Sequence, residues 1–86
     1  AVTTVEITKE QAIVVVALWD NCNQQQRITL EKGFECFRSL YESIETSNCT
    51  WERYIKLISD LEKIGSLELD SNGIWLREWV SKRYTR

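Results

Sequence analysis

No histidine and no proline occur in the 86 residues, and cysteine and glycine appear only three times each. Without histidine the chain lacks the side chain that titrates near neutral pH, the commonest zinc ligand and the base of every Ser-His-Asp or Cys-His arrangement. Most hydrolase chemistry is thereby excluded, and the expectation is a protein that is not an enzyme. Cys22, Cys36 and Cys49 are odd in number, stand 14 and 13 residues apart and form no Cys-x-x-Cys pair, which argues against both a disulfide framework and a metal site. They read as free thiols in a reducing compartment, used for packing. The scattered glycines leave no phosphate-cradling loop, so no cofactor and no small-molecule substrate is expected. The longest apolar run, Ala12 to Trp19, spans eight residues, far short of the roughly 20 that cross a bilayer, and no membrane association is expected. Val2 to Glu6 offers neither the basic start nor the apolar stretch of a signal peptide, so the expected setting is intracellular. A start at Ala1 without Met suggests a piece of a longer protein.

What is present suits one small folded domain. Hydrophobic residues make up 43% and charged residues 28%, ordinary globular values and unlike those of disorder. Thr8 and Gln11 form a capping box ahead of the apolar run, which predicts a first helix reaching about Asn23 and buried on several faces. Asn21 to Gln26 reads as a polar loop and Arg27-Ile28-Thr29 as one short strand, with Thr29 able to cap a second helix. Phe34, Phe37, Leu40, Tyr41 and Ile44 then trace one apolar stripe at helical spacing. Thr50 caps a third helix from Trp51 to Ile64 that stops at Gly65. Its inward residues are Tyr54, Ile55, Ile58, Leu61 and Ile64 with Leu57 beside them, and its outward ones Glu52, Arg53, Lys56, Asp60 and Lys63. After Gly65 the period drops to two. Leu67-Glu68-Leu69, the turn Asp70-Ser71-Asn72-Gly73 and the run Ile74 to Val80 predict a hairpin, with Asn72-Gly73 as a type I′ signal. Leu67, Leu69, Ile74 and Leu76 are expected to pack on the helices, since an isolated hairpin is marginal. Helix, strand, helix, helix, hairpin is the order of an α+β winged helix over residues 1–86, with Arg27 to Thr29 pairing against the wing.

The segments RITLEKGFECFRSLY (residues 27–41) and CTWERYIKLISDLEKIG (residues 49–65), followed by the short Leu67 to Leu69 strand, resemble the C-terminal winged-helix domain of the origin recognition and replication-loader AAA+ family. The likeness runs from about Lys9 to Val80, and Ile58 to Gly65 followed by Leu67 to Leu69 matches the family's Leu-Glu-x-x-Gly ending of the third helix and the short strand after it. It implies one of two roles in a nuclear, chromatin-associated setting. In initiators and origin-complex subunits this domain contacts duplex DNA through the third helix and the wing. In the yeast heterochromatin-silencing paralogue of the large origin subunit it makes a homodimer.

The residues themselves weigh these roles unequally. Candidate DNA contacts are Arg53, Lys56 and Lys63 on the third helix, Arg77 on the wing, and Lys82, Arg83 and Arg86 in the tail. Yet residues 50–65 hold three basic and three acidic side chains, and the first wing strand and tip carry Glu68 and Asp70 with no cation. The net charge is −2 and the isoelectric point near 5.1, whereas phosphate contacts dominate DNA affinity and favour a basic footprint. Only the C-terminal half is mildly basic. Four tryptophans, Trp19, Trp51, Trp75 and Trp79, are more than so small a core readily encloses, and Trp is enriched at interface hot spots. On the second wing strand Trp75, Arg77 and Trp79 alternate to one side. They form either a Trp-Arg-Trp contact surface, extended by Val14 or Ile13, or a pair of rings resting on the first helix. Trp51 is expected to pack. The function expected is a winged-helix interaction module of a chromatin or replication-origin protein, concerned with gene silencing and acting mainly by homodimerisation or protein docking, with duplex DNA contact secondary. The alternative is a DNA-binding domain of a replication initiator or transcription regulator.

Overall fold

A computed structural model describes residues 6–77, in which three helices pack on a three-stranded antiparallel sheet. Each helix begins where its cap predicts. Thr8 Oγ1 accepts from the Gln11 N–H at 3.1 Å and the Gln11 side chain accepts from the Thr8 N–H at 2.9 Å, a complete capping box that starts α1 (Lys9–Asn21). Thr29 caps α2 (Leu30–Glu45) by accepting from the Lys32 N–H, and Thr50 caps α3 (Trp51–Lys63) by accepting from the Arg53 N–H. These hydroxyls satisfy amides that have no partner within the helix. Helix α2 stops where Thr46 turns left-handed at φ 56°, and α3 stops at Ile64 with Gly65 following at φ 83°.

Between α1 and α2 the chain makes a tight loop, in which the Asn23 carboxamide oxygen accepts from the backbone of Gln25 and Arg27 at 2.9 Å each. The loop delivers β1 (Arg27–Ile28) to the sheet, where it pairs antiparallel with β3 (Gly73–Leu76). On the other side of β3 lies β2 (Leu67–Asp70), giving the order β1-β3-β2. The result is the winged-helix-like α+β layout expected from the order of elements.

Two expectations at the hairpin need correction. Asp70 pairs with Gly73, so the turn centres on Ser71-Asn72 and not on Asn72-Gly73. Neither central residue has a positive φ; Gly73 has, at +115°. The Asp70 carboxylate accepts from the Asn72 N–H at 2.8 Å and stabilises this arrangement. A Cβ on Gly73 would lie 2.7 Å from the Ile28 carbonyl oxygen, so glycine is required there both by conformation and by the closeness of β1. The second correction concerns Leu69, which is 38% exposed while Leu67, Ile74 and Leu76 are buried. β2 is one of the two edge strands and pairs with β3 alone, and along it only Leu67 is buried.

The core is built from the inner face of every element. Helix α1 contributes Ile13, Val14, Val15, Ala17 and Leu18, more than one face of a helix, which agrees with its expected deep burial. α2 contributes Gly33, Phe37 and Tyr41, but Ile44, expected on the same stripe, is 45% exposed. From α3 come Tyr54, Leu57, Ile58 and Leu61. Tyr54 is the keystone: it stacks on Phe37 at 5.7 Å between centroids, and its hydroxyl donates to the Leu30 carbonyl at 2.9 Å. Burial pushes that hydroxyl's pKa well above its ordinary value, so it stays a donor. A Cβ on Gly33 would stand 2.5 Å from the Tyr54 oxygen and 2.8 Å from Leu18, so the bare backbone of α2 is what lets α3 and α1 approach.

Candidate interaction surface

Strand alternation puts Arg27, Glu68, Trp75 and Arg77 on the sheet face turned away from the core, and the register sets Arg27 and Glu68 on either side of Trp75. Both arginines lie against the indole: the Arg27 guanidinium carbon is 5.7 Å from the ring centroid and that of Arg77 is 5.3 Å away. Each such contact is worth ~0.5–1 kcal/mol at an accessible site. Carboxylates hold the arginines in place. Arg27 Nη1 bridges Asp70 at 2.7 Å, across the hairpin end, and Arg77 bridges Glu68. The Arg27 hydrogen bond also holds the Asp70 carboxyl below its ordinary pKa, helped by the Asn72 N–H. The face is thus a half-buried indole in a frame of two cations and two anions, with no net charge.

Of the residues expected at an interface, the structure therefore brings together Trp75 and Arg77. It does not add Val14, which is 0% exposed: α1 is apolar around most of its circumference, and that position points into the core. Ile13 is buried as well. Trp79 lies outside the described residues, so the Trp-Arg-Trp surface is described as far as its first two members. The alternative of rings resting on the first helix does not hold for Trp75, which lies on the sheet face turned away from the core with both guanidinium groups against its ring. Arg27 is the member that sequence reasoning missed. The signal available was the pairing of a short strand after α1 with the wing, but the partner of Arg27 depends on a register set about half the chain away.

The α3 cations are arranged differently. Arg53 turns toward α1 and donates from Nε to Glu10 at 3.0 Å, with its terminal nitrogen on the same carboxylate oxygen. This pairing raises the guanidinium pKa further. Tyr41 also donates to Glu10, at 3.2 Å, so the three residues tie α1, α2 and α3 together. Lys56 lies 3.7 Å from Asp60, one turn on. Lys63 is exposed at the end of the helix. Lys82, Arg83 and Arg86 lie outside the described residues. Of the DNA candidates within them, Arg53, Lys56 and Arg77 each have a carboxylate partner, so the positive potential they would offer a phosphate is largely cancelled locally.

Other aromatic and sulfur side chains among the described residues pack in or against the core. Trp51 packs edge-on against Phe34 at 5.2 Å and beside Tyr54, although 39% of it stays exposed. Trp19 is half-buried against the core. Cys49 is buried and Cys22 and Cys36 are half-buried; burial raises the pKa of the Cys22 and Cys49 thiols, which keeps them protonated. Among the described residues no three His, Cys, Asp or Glu side chains gather as metal ligands. In comparisons with protein-family models, with curated proteins and with solved structures, nothing matches the chain.

Proposed function

We propose that the domain is a winged-helix interaction module whose main act is to dock a protein partner, a second copy of itself first among them, through the outer face of the sheet. The observation that carries this reading is Trp75 held between Arg27 and Arg77 on a surface with no net charge. A large ring that is rigidly placed at little entropic cost is what an interface anchor needs. Two cations and two anions around that ring also make the face self-complementary, as a two-fold contact requires. The chromatin, replication-origin or silencing setting, with nuclear location, rests on the sequence resemblance to the origin-recognition family. Duplex DNA binding through Arg53, Lys56 and Lys63 is the second reading, favoured only by their shared exposure on α3.

Sedimentation equilibrium of the full chain and of Trp75→Glu, with circular dichroism to establish that the variant is folded, tests the proposal. The expected result is a concentration-dependent dimer that the folded variant no longer forms. A monomer at every concentration overturns self-association. A titration with duplex DNA at two salt concentrations then decides the second reading, which demands steeply salt-dependent binding weakened by Lys56→Glu.

A further inference from the structure

We infer that Asn72 is a self-modifying site of the folded chain: the Gly73 backbone nitrogen closes on its carboxamide, and the aspartyl or isoaspartyl product loosens the seam between β3 and β1. Four asparagines occur in the chain, Asn21, Asn23, Asn48 and Asn72, and only Asn72 is followed by glycine. A side chain at the following position crowds the attacking nitrogen, whereas glycine leaves it open and gives the backbone the freedom to close a ring. The other three are restrained. Asn21 donates its amide to the Ala17 carbonyl at 2.8 Å, and the Asn23 carboxamide oxygen accepts from the Gln25 and Arg27 N–H groups. Asn48 is exposed but precedes the buried Cys49. Asn72 is exposed at the hairpin tip. Among the described residues the hydrogen bond it makes runs from its backbone N–H to the Asp70 carboxylate at 2.8 Å, which leaves the carboxamide free.

The chemistry needs only water. The Gly73 nitrogen bonds to Cγ of Asn72, the bond from Cγ to the carboxamide nitrogen breaks, and that nitrogen leaves as ammonia with the proton lost from Gly73. The Asp70 carboxylate, which also receives the Gly73 N–H, is an acceptor placed to pass that proton on. Water then opens the five-membered succinimide. Attack at Cγ gives aspartate with the ordinary backbone; attack at the Asn72 backbone carbonyl gives isoaspartate, whose backbone runs through the side chain and is one carbon longer. Either product adds one negative charge to a chain of net charge −2. Asn72 lines one cleft with Arg27 and Lys32, so the new carboxylate competes with Asp70 for Arg27. The isoaspartyl link does more, since its extra carbon enters directly before Gly73, where even an added Cβ would lie 2.7 Å from the Ile28 carbonyl oxygen. That displacement loosens the pairing of Ile74 and Trp75 with Ile28 and Arg27.

The site is independent of what the sheet face docks, and its test is chemical. The full chain is incubated in mildly alkaline buffer at physiological temperature beside a synthetic peptide of residues 64–77, the fragment that trypsin releases by cutting after Lys63 and Arg77. The only side-chain amide in that fragment is Asn72, so its conversion is read there by mass, and isoaspartyl methyltransferase counts the isoaspartate. Steady conversion in the folded chain is expected at no less than about a tenth of the peptide's rate, because a hairpin tip opens locally at little cost. Asn21, Asn23 and Asn48 stay unchanged. The converted chain, separated by its charge, is expected to show shifted amide resonances at residues 26–28 and 73–76, whereas Asn72→Ser, which cannot form the ring, stays unchanged over the same time. An intact Asn72 in the folded chain, whatever the peptide does, or earlier conversion at another asparagine overturns the site. Conversion that leaves the β1 and β3 resonances in place overturns its effect on the seam.

Discussion

Arginines occupy both the outer face of the sheet and the exposed face of α3, and they do different things there. On α3, Arg53 reaches across to Glu10, which also receives the Tyr41 hydroxyl, so its charge joins helices. On the sheet, Arg27 and Arg77 are held by Asp70 and Glu68, yet their guanidinium carbons lie over the Trp75 ring. The first arrangement turns a cation into an internal tie; the second uses two cations to fix an aromatic ring at the surface. Residue type therefore says little about recognition until the partner of each charge is known. A helix face with as many acids as bases offers a phosphate little, whereas a framed indole offers a protein surface both area and geometry.

The comparison breaks most severely at Gly73. Gly73→Ala places a methyl against the Ile28 carbonyl and demands a positive φ from alanine, so denaturant melts should show a loss of about 2–4 kcal/mol and any self-association should weaken with it. Next is Gly33→Ala, where a gain of ~1 kcal/mol in helix propensity is outweighed by overpacking against Tyr54 and Leu18. A net loss of about 1–2 kcal/mol in the same melts is expected; a gain would show that Tyr54 can move aside. Tyr54→Phe removes one buried hydrogen bond and should cost about 1 kcal/mol, leaving the sheet-face tryptophan environment unchanged by fluorescence. Single replacements Arg27→Gln and Arg53→Gln sharpen the contrast: each should lower stability by about 0.5–1 kcal/mol, a shift of about 2–8 °C in Tm, but only Arg27→Gln should increase quenching of Trp75 by iodide. The smallest effect is with pH. Because Arg27 depresses the Asp70 pKa, its stabilisation is present above the ordinary value of 3.8 and is lost as pH falls through the lower folded value. A slight decline in Tm from about pH 5 to about pH 3 should therefore be shallower in Arg27→Gln.

Local chemistry made much of the fold readable. Thr8, Thr29 and Thr50 are caps because a hydroxyl beside three free amides has one favourable use, and all three start helices. Gly65 ends α3 for an equally local reason. Legibility fails where neighbours come from elsewhere in the chain. Asn72-Gly73 carries the commonest hairpin signal, but the Asp70 carboxylate and the approach of β1 to Gly73 move the turn back by one residue. Leu69 alternates correctly with Leu67 and is nevertheless exposed, since alternation gives direction without saying where the sheet ends. Val14, expected to extend the contact surface, is fully buried, because the run around it is apolar on nearly all sides and leaves that position facing the core. For the candidate surface, Trp75 and Arg77 were visible as neighbours on one strand; Arg27 was not, because no spacing rule links β1 to β3.

That link sets when the surface comes into being. The Gln26 side chain donates to the Leu76 carbonyl across 50 residues, and Arg27 meets Trp75 across nearly as many. The capped helices close by contacts within a few residues and form early, while joining β1 to β3 requires the loop containing both later helices to close first. The framed indole is consequently among the last features to form as the chain folds. If a partner docks at that face as proposed and needs both arginines over the ring, it would bind only molecules whose folding has finished, and recognition there would double as a check on the integrity of the domain.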